Sequence, residues 1–344
     1  MKSISSPKSV LIVGAGGFIG GFLAREALAR GFRVWAGVRP TTSRRFLTDP
    51  ALRFIVFDDF ESHQAIAAAL RSVLPEGQGF DYIVYNLGAT KCTNFADFNR
   101  INFGYLRNFV RALELNDMHP ERLLYMSSLS ALGKGDEKGY TPMSGSMVPD
   151  PDTRYGLSKV KAEMLLEMTP WLRWTILRPT GVYGPHEQDY LMMIKAIEHH
   201  FDFGVGFRKQ MLTFIYVEDL ARAVFDAVTS PATLRKKYII SEPRAYTQSE
   251  FRKIVARQLG VKCVIPLRLP LWITYVASFV AEKYGVATLR PSTLNRDKFR
   301  IMKQRNWNCD ISDAVRDFNF SPRVDLATGL RYTIDSYHAL KAES

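Results

Sequence analysis

The segment VLIVGAGGFIG at residues 10–20 determines the fold of this chain. Four apolar residues lead directly into Gly14, Gly17 and Gly20, which have the spacing G-x-x-G-x-x-G. Between a strand and a helix, the first glycine permits a sharp turn, the second lets the backbone approach a pyrophosphate, and the third lets the helix pack on the sheet. The segment therefore predicts a dinucleotide site at the helix N-terminus. The residues expected to contact the dinucleotide are Gly14, Gly16, Gly17, Phe18, Ile19 and Gly20.

Short apolar runs alternate with helix-like segments through the first half of the chain. Such alternation predicts an α/β fold, a doubly wound parallel sheet of the Rossmann type with helices on both faces. The predicted strands are 9–13, 33–38, 53–57, 81–85, 122–126, 174–177 and 237–240. The predicted helices are 18–30, 62–74, 95–115, 153–168, 217–229 and 247–259.

The alternation of strands and helices becomes irregular after residue 185, which indicates that the chain has two parts with different functions. We expect residues 1–185 to form the dinucleotide-binding domain, with a strand and a helix contributed by 214–245. Residues 186–213 and 246–344 are expected to form a smaller C-terminal lobe that binds the substrate. No linker separates these parts clearly, so the lobe is expected to be built onto the larger domain.

Composition sets the expected class and compartment. The chain has 344 residues, 47% of them hydrophobic and 23% charged, as is typical of a globular protein. Its three cysteines, Cys92, Cys263 and Cys309, are odd in number and widely spaced, which favours neither a disulfide framework nor a metal site. Neither a signal-peptide core nor an uninterrupted run of about 18 apolar residues is present. We therefore expect a cytoplasmic protein.

The net charge of +12 is concentrated in residues 251–310, where twelve Lys and Arg face three acidic residues. This segment contains the uncharged run LWITYVASFVA at 271–281. The run is interpreted in three ways: a core helix, which its short length favours, a wall of a lipid or steroid pocket, or an interfacial helix. In the third case residues 264–305 would contact the inner face of an anionic membrane. No nucleic-acid motif accompanies the charge, so nucleic acid is not expected as a partner.

The residue at the end of the second predicted strand indicates whether the cofactor's ribose carries a 2′-hydroxyl or a 2′-phosphate. An acidic residue there would bind the 2′-hydroxyl of NAD, whereas an arginine accommodates a 2′-phosphate. Arg39 stands at this position, with Arg44 and Arg45 close behind. NADP(H) is therefore the preferred cofactor, and NAD(H) is the alternative. Asp59, or Asp58 beside it, follows the third strand and is interpreted either as an adenine contact or as a helix N-cap.

Tyr155 and Lys159 lie four residues apart and so share one face of a predicted helix. An ordinary tyrosine, with a pKa of about 10, is a poor acid or base at neutral pH. A nearby lysine cation favours the phenolate and lowers that pKa. A phenol tuned in this way exchanges a proton with a carbonyl or alcohol oxygen as hydride moves.

Together these motifs resemble the extended short-chain dehydrogenase/reductase family, including its epimerase/dehydratase and 3β-hydroxysteroid-dehydrogenase-like branches. The likeness covers nearly the whole chain, and the motifs occur in the family's order. Leu106 replaces the usual threonine of one motif. The matching segments are Gly14 with Gly17 and Gly20; Asn86-Leu87-Gly88-Ala89; Asn102 with Asn108; LYMSSLSALG at 124–133; RPTGVYGP at 178–185; and FIYVEDLA at 214–221.

The resemblance implies a role for each matching residue. Tyr155 would be the general acid and base, Lys159 would hold the nicotinamide ribose and lower the tyrosine pKa, and Ser128 would hydrogen-bond the reacting oxygen. Ser127 and Ser130 remain alternatives to Ser128. Further residues that would line the cofactor are Arg39, Asp59, Leu87, Gly88, Ala89, Asn102, Pro179 and Val182.

The substrate is less determined. In the family's nucleotide-sugar enzymes an arginine before the last motif clamps the diphosphate, but Leu212 and Thr213 occupy that position here. Leucine cannot form such a clamp, although Arg208 or Lys209 could compensate. We therefore expect an apolar ketone or alcohol, such as 3-ketosphinganine or a 3-ketosteroid. The alternatives are a nucleotide-sugar epimerase or dehydratase and a non-catalytic cofactor-binding regulator. A homodimer is a common form for such enzymes. The residues expected around the pocket are Lys91, Ser128, His186, Tyr190 and Leu212.

Overall fold

The computed structural model describes residues 7–75, 77–92, 94, 96–288 and 294–343. Its strands are short and mostly buried, and they are numbered along the chain. They are β1 (Ser9–Val13), β2 (Arg33–Val38), β3 (Arg53–Val56), β4 (Tyr82–Tyr85), β5 (Arg122–Met126), β6 (Trp174–Pro179), β7 (Gly181–Tyr183), β8 (Phe201–Val205), β9 (Met211–Leu212), β10 (Phe214–Tyr216), β11 (Lys237–Ile240), β12 (Tyr246–Thr247) and β13 (Ile265–Leu269).

Helices connect and cover these strands. A π-helical segment, Arg100–Gly104, separates the third helix from the fourth. The helices are α1 (Phe18–Ala29), α2 (His63–Arg71), α3 (Ala96–Asn99), α4 (Tyr105–Leu115), α5 (Arg154–Glu167), α6 (Asp189–Glu198), α7 (Val217–Thr229), α8 (Gln248–Leu259), α9 (Leu271–Ala287), α10 (Arg296–Lys303), α11 (Ser312–Phe318) and α12 (Leu326–Glu343).

The central sheet has seven strands in the order β3-β2-β1-β4-β5-β6-β11, and every neighbouring pair is parallel. The order reverses between β1 and β4. In an open sheet of this kind, ligands bind in the crevice beyond the carboxyl ends of the strands at such a reversal. The sheet confirms the predicted doubly wound fold.

Alternation along β1 shows why this fold forms. Val10 and Ile12 pack into the apolar core under α1, α7 and α11, whereas Leu11 and Val13 pack into the core under α2, α4 and α5. All four side chains are fully buried. A strand covered on both faces requires a continuous apolar run, which is the pattern that the sequence shows.

A separate apolar core, here called the lobe core, lies outside the central sheet and includes residues from both predicted parts of the chain. Tyr183, Phe214, Phe251 and Leu330 meet there, between α6, α8 and α12. The rings of Phe214 and Phe251 stack with centroids 5.5 Å apart. Three two-stranded pairs, β7 with β10, β9 with β12 and β8 with β13, complete the lobe and its junction with the larger unit.

Most element boundaries differ from prediction by three residues or fewer, but two predictions need correction. The predicted helix 95–115 is interrupted by the π-helical segment, which turns Asn102 into the interior; Phe95 lies outside the described residues. The interpretation of 271–281 as a core helix is wrong, because α9 exposes its apolar residues and buries its polar ones. Composition could not show this, since it does not specify which face of a helix packs inward.

Candidate active site

The glycine turn leaves no room for side chains at two positions. Gly14 has a φ of +86°, and a Cβ there would lie 2.8 Å from the backbone nitrogen of Leu87. A Cβ on Gly20 would lie 2.4 Å from the carbonyl oxygen of Ala15. The first glycine thus lets β1 approach the segment after β4, and the third lets α1 pack against its own turn.

The start of α1 fits the pyrophosphate of a dinucleotide. Gly17 is the N-cap, no side chain caps this end, and the first turn contains no acidic residue. A Cβ at Gly17 would have an ordinary contact of 3.6 Å with the carbonyl oxygen of Gly14, so this side of the turn is open. Backbone N–H groups without side-chain partners at a helix N-terminus attract an anion.

The loop after β2 lies over this turn. A Cβ on Gly16 would clash with the methyl group of Thr42, and the Thr42 hydroxyl accepts a hydrogen bond of 3.1 Å from the backbone N–H of Arg39. The guanidinium groups of Arg44 and Arg45 lie over phenylalanine rings at 4.3 and 4.4 Å. Arg39 is exposed at the tip of β2, where the sequence predicts the ribose contact.

The two interpretations of Asp59 can now be separated. Its carboxylate accepts a hydrogen bond of 2.7 Å from the backbone N–H of Glu61, whereas Ser62 caps α2. The N-cap interpretation of Asp59 is therefore wrong, and the adenine contact stays a prediction. Asn108 holds this loop by donating to the carbonyl oxygens of Phe60 and Glu61 at 2.9 and 2.7 Å.

Asn102 fixes the segment after β4. Its amide accepts from the Ala89 N–H at 2.7 Å and donates to the Ala89 carbonyl at 3.0 Å and to the Ser158 hydroxyl at 2.9 Å. A Cβ on Gly88 would lie 3.0 Å from the Asn102 side-chain oxygen and 3.1 Å from the Lys159 ammonium. Asn102 thus positions Gly88 beside the catalytic helix, and a direct bond from Asn102 to the cofactor stays a prediction.

Ser128, Tyr155 and Lys159 come together at the carboxyl end of β5. Thr153 caps α5, which places Tyr155 in the first turn. The Ser128 hydroxyl lies close enough to the half-buried Tyr155 phenol to act against the rise of its pKa. Ser127 points the other way and donates a hydrogen bond of 2.5 Å to Glu163. The structure therefore gives Ser128, and not Ser127, access to the phenol.

The protonation of these groups differs from the sequence-based expectation. Burial raises the pKa of Tyr155, and only the Ser128 hydroxyl opposes that rise. Burial lowers the pKa of Lys159 to about 8, against a smaller opposing effect from the Glu163 carboxylate. The Lys159 ammonium donates to the Met126 carbonyl at 2.9 Å and lies 5.9 Å from the centre of the Tyr155 ring. In this arrangement burial governs the pKa of Tyr155 and gives a net rise, so a depression of that pKa by Lys159 stays a prediction.

Three supporting residues received no role from the sequence, although Arg178 opens one of the matching segments. Glu163 forms a buried bidentate ion pair with Arg178, with distances of 3.0 and 2.6 Å. Asp297, on α10, accepts from the backbone N–H groups of Arg154 and Tyr155 at 2.9 and 3.3 Å. Glu163 follows Lys159 by four residues on α5, so helical spacing could have indicated it. Asp297 has no local signal, since it lies more than 140 residues away in sequence.

Four of the five residues expected around the pocket have partners beyond Ser128 and Tyr155. Lys91 pairs with Asp189 at 2.5 Å, and His186 stacks on Phe46 at 4.3 Å. Tyr190 and Leu212 pack against the lobe core. Tyr190 directly follows Asp189, the partner of Lys91, and that the five residues surround one pocket stays a prediction.

The nicotinamide segment carries one informative polar atom. Thr180 follows Pro179, and its buried hydroxyl has no hydrogen-bond partner within the described part of the chain. Val182, two residues further on, packs against the main core. A buried polar atom without a protein partner is the kind of group that a polar ligand satisfies. Together with the open glycine turn, it fits a bound dinucleotide.

A profile of the NAD dependent epimerase/dehydratase family matches residues 10–241, more than half of the chain. The chain belongs to this family. The match confirms the resemblance to extended short-chain dehydrogenase/reductases and makes the protein an NAD-dependent oxidoreductase by family.

Individual relatives are distant. Short-chain dehydrogenase/reductase family 42E member 1 of Danio rerio is 27% identical over 80% of this chain and 73% of its own length. The ceramide reductase of Caulobacter vibrioides is 23% identical over 96% of this chain and 94% of its own. The UDP-glucose 4-epimerase of Thermus thermophilus, solved with NAD, has a TM-score of 0.74 and 18% identity over 96% and 99% of the two chains. At that identity the structural likeness establishes the fold alone.

Two glycine variants should separate cofactor binding from folding. Gly17→Ala is expected to change the melting temperature little and to weaken cofactor binding about tenfold or more, because its methyl group enters the open side of the family's glycine turn. Gly20→Ala should lower both the melting temperature and the affinity for the cofactor, because its Cβ would clash with backbone atoms. Calorimetric titration and thermal unfolding measure the two effects. Unchanged affinity in Gly17→Ala would place the pyrophosphate elsewhere.

Lys159→Met should increase stability at neutral pH, although it removes a group that the sequence predicts to be catalytic. Because the pKa of Lys159 is about 8 in the fold and ordinarily 10.5, the unfolded chain binds more protons between these values. The parent's free energy of unfolding should therefore rise with pH across that window. The variant's advantage, up to about 3 kcal/mol below pH 8, should vanish by pH 10.5. Urea unfolding at both ends of the window tests this, and a pH-independent difference would contradict it.

Proposed function

We propose that this protein interconverts a ketone and a secondary alcohol with NADP(H), on an apolar substrate such as 3-ketosphinganine or a 3-ketosteroid. The observation that carries the proposal is the convergence of Ser128, Tyr155 and Lys159 beside Gly88. This arrangement supplies a proton donor, a second hydrogen bond to the same oxygen and a cation beside the predicted cofactor segment. Each of these groups has a task in carbonyl reduction.

The proton path follows from the site. The Tyr155 phenol donates its proton to the ketone oxygen, and the Ser128 hydroxyl hydrogen-bonds that oxygen. The nicotinamide, when bound, supplies the hydride for reduction or accepts it for oxidation. Burial raises the pKa of Tyr155, so its phenol retains the proton that ketone reduction requires. Lys159 would hold the ribose. Its ammonium would also stabilise the phenolate that Tyr155 becomes after it gives up its proton.

The preference for NADP(H) rests on Arg39. Its exposed guanidinium stands at the tip of β2, and no acidic residue occurs from 39 to 48. A guanidinium binds a 2′-phosphate through two charge-assisted hydrogen bonds, whereas a ribose hydroxyl calls for a carboxylate at this position.

The apolar substrate rests on Leu212. This side chain packs against the lobe core, and β9, which contains it, pairs with β12. A diphosphate would find an apolar surface at this position. The name of the Caulobacter relative, ceramide reductase, supports a substrate with long apolar chains.

A nucleotide-sugar epimerase or dehydratase is the second candidate. It is favoured by the structural likeness to a UDP-glucose 4-epimerase across nearly the whole chain. For this activity Arg208 and Lys209, both exposed after β8, would have to replace the missing arginine. The absence of an arginine at position 212 weighs against it.

Tyr155→Phe tests the proton donor. Oxidation of NADPH should be followed with long-chain 3-ketones, 3-ketosteroids and keto sugars. We expect the variant to lose activity by about a hundredfold to ten-thousandfold on the ketone that the parent prefers, while it binds the cofactor normally. Tyr238→Phe, which removes the hydroxyl that bonds Asp317 at 2.7 Å, is the control and should retain activity.

The same measurements distinguish the alternatives. Turnover of nucleotide sugars alone would contradict the apolar-substrate proposal. Cofactor binding without turnover of any ketone, in the parent and in Tyr155→Phe alike, would favour a non-catalytic regulator.

Arg39→Asp should shift cofactor preference toward NADH. We expect about a tenfold or larger loss of NADPH affinity, because the 2′-phosphate loses charge-assisted hydrogen bonds and meets a like charge. Arg33→Asp makes the same charge change at the other end of β2 and should leave the preference unchanged. Affinities are measured by fluorescence titration with both cofactors. Tighter binding of NADH by the parent would refute the role of Arg39.

A further inference from the structure

Exposed apolar side chains are concentrated on one part of the lobe. Of 23 large apolar residues exposed in the described chain, 14 lie within 201–207 and 265–284. These two segments contain β8, β13 and α9, and the surface they form is here called the apolar face. Large contiguous apolar surfaces are uncommon on soluble domains and mark sites of interaction.

Helix α9 is turned with its polar side inward. Thr274, Ser278 and Glu282, spaced by four residues, are buried. Trp272 and Tyr284, on the other side, are 69% and 72% exposed. A surface helix normally has the opposite orientation, with apolar residues toward the core.

The buried polar residues of α9 have specific partners. Glu282 accepts from the Arg296 guanidinium at 2.7 and 3.0 Å and from its backbone N–H at 3.2 Å. Thr274 and Ser278 donate to the backbone carbonyls of Pro270 and Tyr275 at 3.2 and 2.7 Å. The bonds from Arg296 join α9 to the start of α10, whereas the hydroxyl groups are satisfied within α9, so its outward apolar side is a built feature of the lobe.

The strand pair of β8 and β13 has the same inverted polarity. Phe203 lies opposite Leu267, and both are exposed. On the other side of the pair, buried Asp202 accepts from Arg268 at 3.0 Å. Pro270 joins β13 directly to α9. The Leu271 side chain lies 3.4 Å from the point that a Cβ added to Gly206 would occupy. Strand pair and helix therefore form one surface.

Basic side chains border the apolar face. Lys283 and Arg296 lie over the ring of Phe279 at 5.7 and 5.5 Å. Lys262 is exposed just before β13, and Arg208 is exposed just after β8.

The acidic residues of this region are buried and hydrogen-bonded. They are Glu282 on α9, Asp297 on α10 and Asp202 on β8. The border thus presents mainly positive charge.

We infer that the apolar face binds the surface of a membrane rich in anionic phospholipid, with α9 lying in the interfacial plane. The apolar side chains would enter the headgroup boundary, and the border of Lys and Arg would bind the phosphates. No helix among the described residues has both the length and the apolarity to cross a bilayer. A symmetric dimer through this face would bring two identical basic borders together, which electrostatic repulsion opposes. The inference concerns binding to a surface and does not depend on the proposed reaction.

Vesicle binding of the full chain tests the inference. Sedimentation with phosphatidylcholine vesicles, with and without phosphatidylglycerol, should show binding that requires phosphatidylglycerol and weakens with salt. The variant Trp272→Ser/Val280→Ser should bind the vesicles at least about tenfold more weakly, because two exposed apolar side chains are lost. The matched control Val148→Ser/Met168→Ser removes two side chains, 84% and 77% exposed, elsewhere on the surface and should bind like the parent.

Charge reversal tests the border. Lys262→Glu/Lys283→Glu should lose binding to the anionic vesicles, whereas Arg107→Glu/Arg111→Glu, an exposed pair on α4, should retain it. Equal binding to neutral and anionic vesicles, or binding to neither, would overturn the inference. A dimer that dissociates in Trp272→Ser/Val280→Ser, without vesicle binding by the parent, would overturn it in favour of a second copy.

Activity distinguishes this inference from the proposed function. Oxidation of NADPH with a short, water-soluble ketone should be unchanged in Trp272→Ser/Val280→Ser, since α9 contributes no group to the proton path. Vesicle binding by a protein that reduces no ketone would leave the inference standing and refute the proposed reaction.

Discussion

The buried ion pair between Glu163 and Arg178 is the interaction on which the geometry of the site depends. Both side chains are 1% exposed, and burying two charges costs several kcal/mol unless their geometry is good and their remaining hydrogen bonds are satisfied. Ser127 and the carbonyl oxygen of Gly145 complete the network. The pair thereby joins α5 to β5 and β6. Ser128 follows Ser127 directly, and Tyr155 stands two turns before Glu163, so the pair sets the approach of the two side chains that we propose to be catalytic.

The same dry surroundings make Lys159 expensive to bury. Its ammonium is desolvated, and the carboxylate that partly compensates is already engaged by Arg178. The fold therefore carries an unfavourable charge at the position where the predicted cofactor needs one. Such a conflict between stability and activity is characteristic of catalytic sites. The same desolvation raises the pKa of the Tyr155 phenol, because the environment that holds the site rigid disfavours the phenolate.

The lobe contains two regions in which polar and apolar residues are distributed in opposite ways. Around Phe214 and Phe251 it has an ordinary apolar core, whereas α9 and the β8–β13 pair bury polar groups and expose apolar ones. The inverted part is held by ion pairs such as Glu282 with Arg296. It also reaches the active site, because Asp297, on the helix packed against α9, bonds the first turn of the catalytic helix.

The sequence by itself determined the elements and the local chemistry of this protein. Alternating apolar runs specified the parallel sheet, the glycine spacing specified the cofactor turn, and the interval between Tyr155 and Lys159 placed both on one helix face, because each of these patterns acts over a few residues. Only the tertiary structure decided which serine meets the phenol, since Ser127 and Ser128 differ solely in the direction they point. It likewise decided the net rise of the tyrosine pKa, the cap that Asp297 supplies from far along the chain, and the outward apolar side of α9. These features depend on desolvation and on contacts between distant segments, which no local pattern encodes.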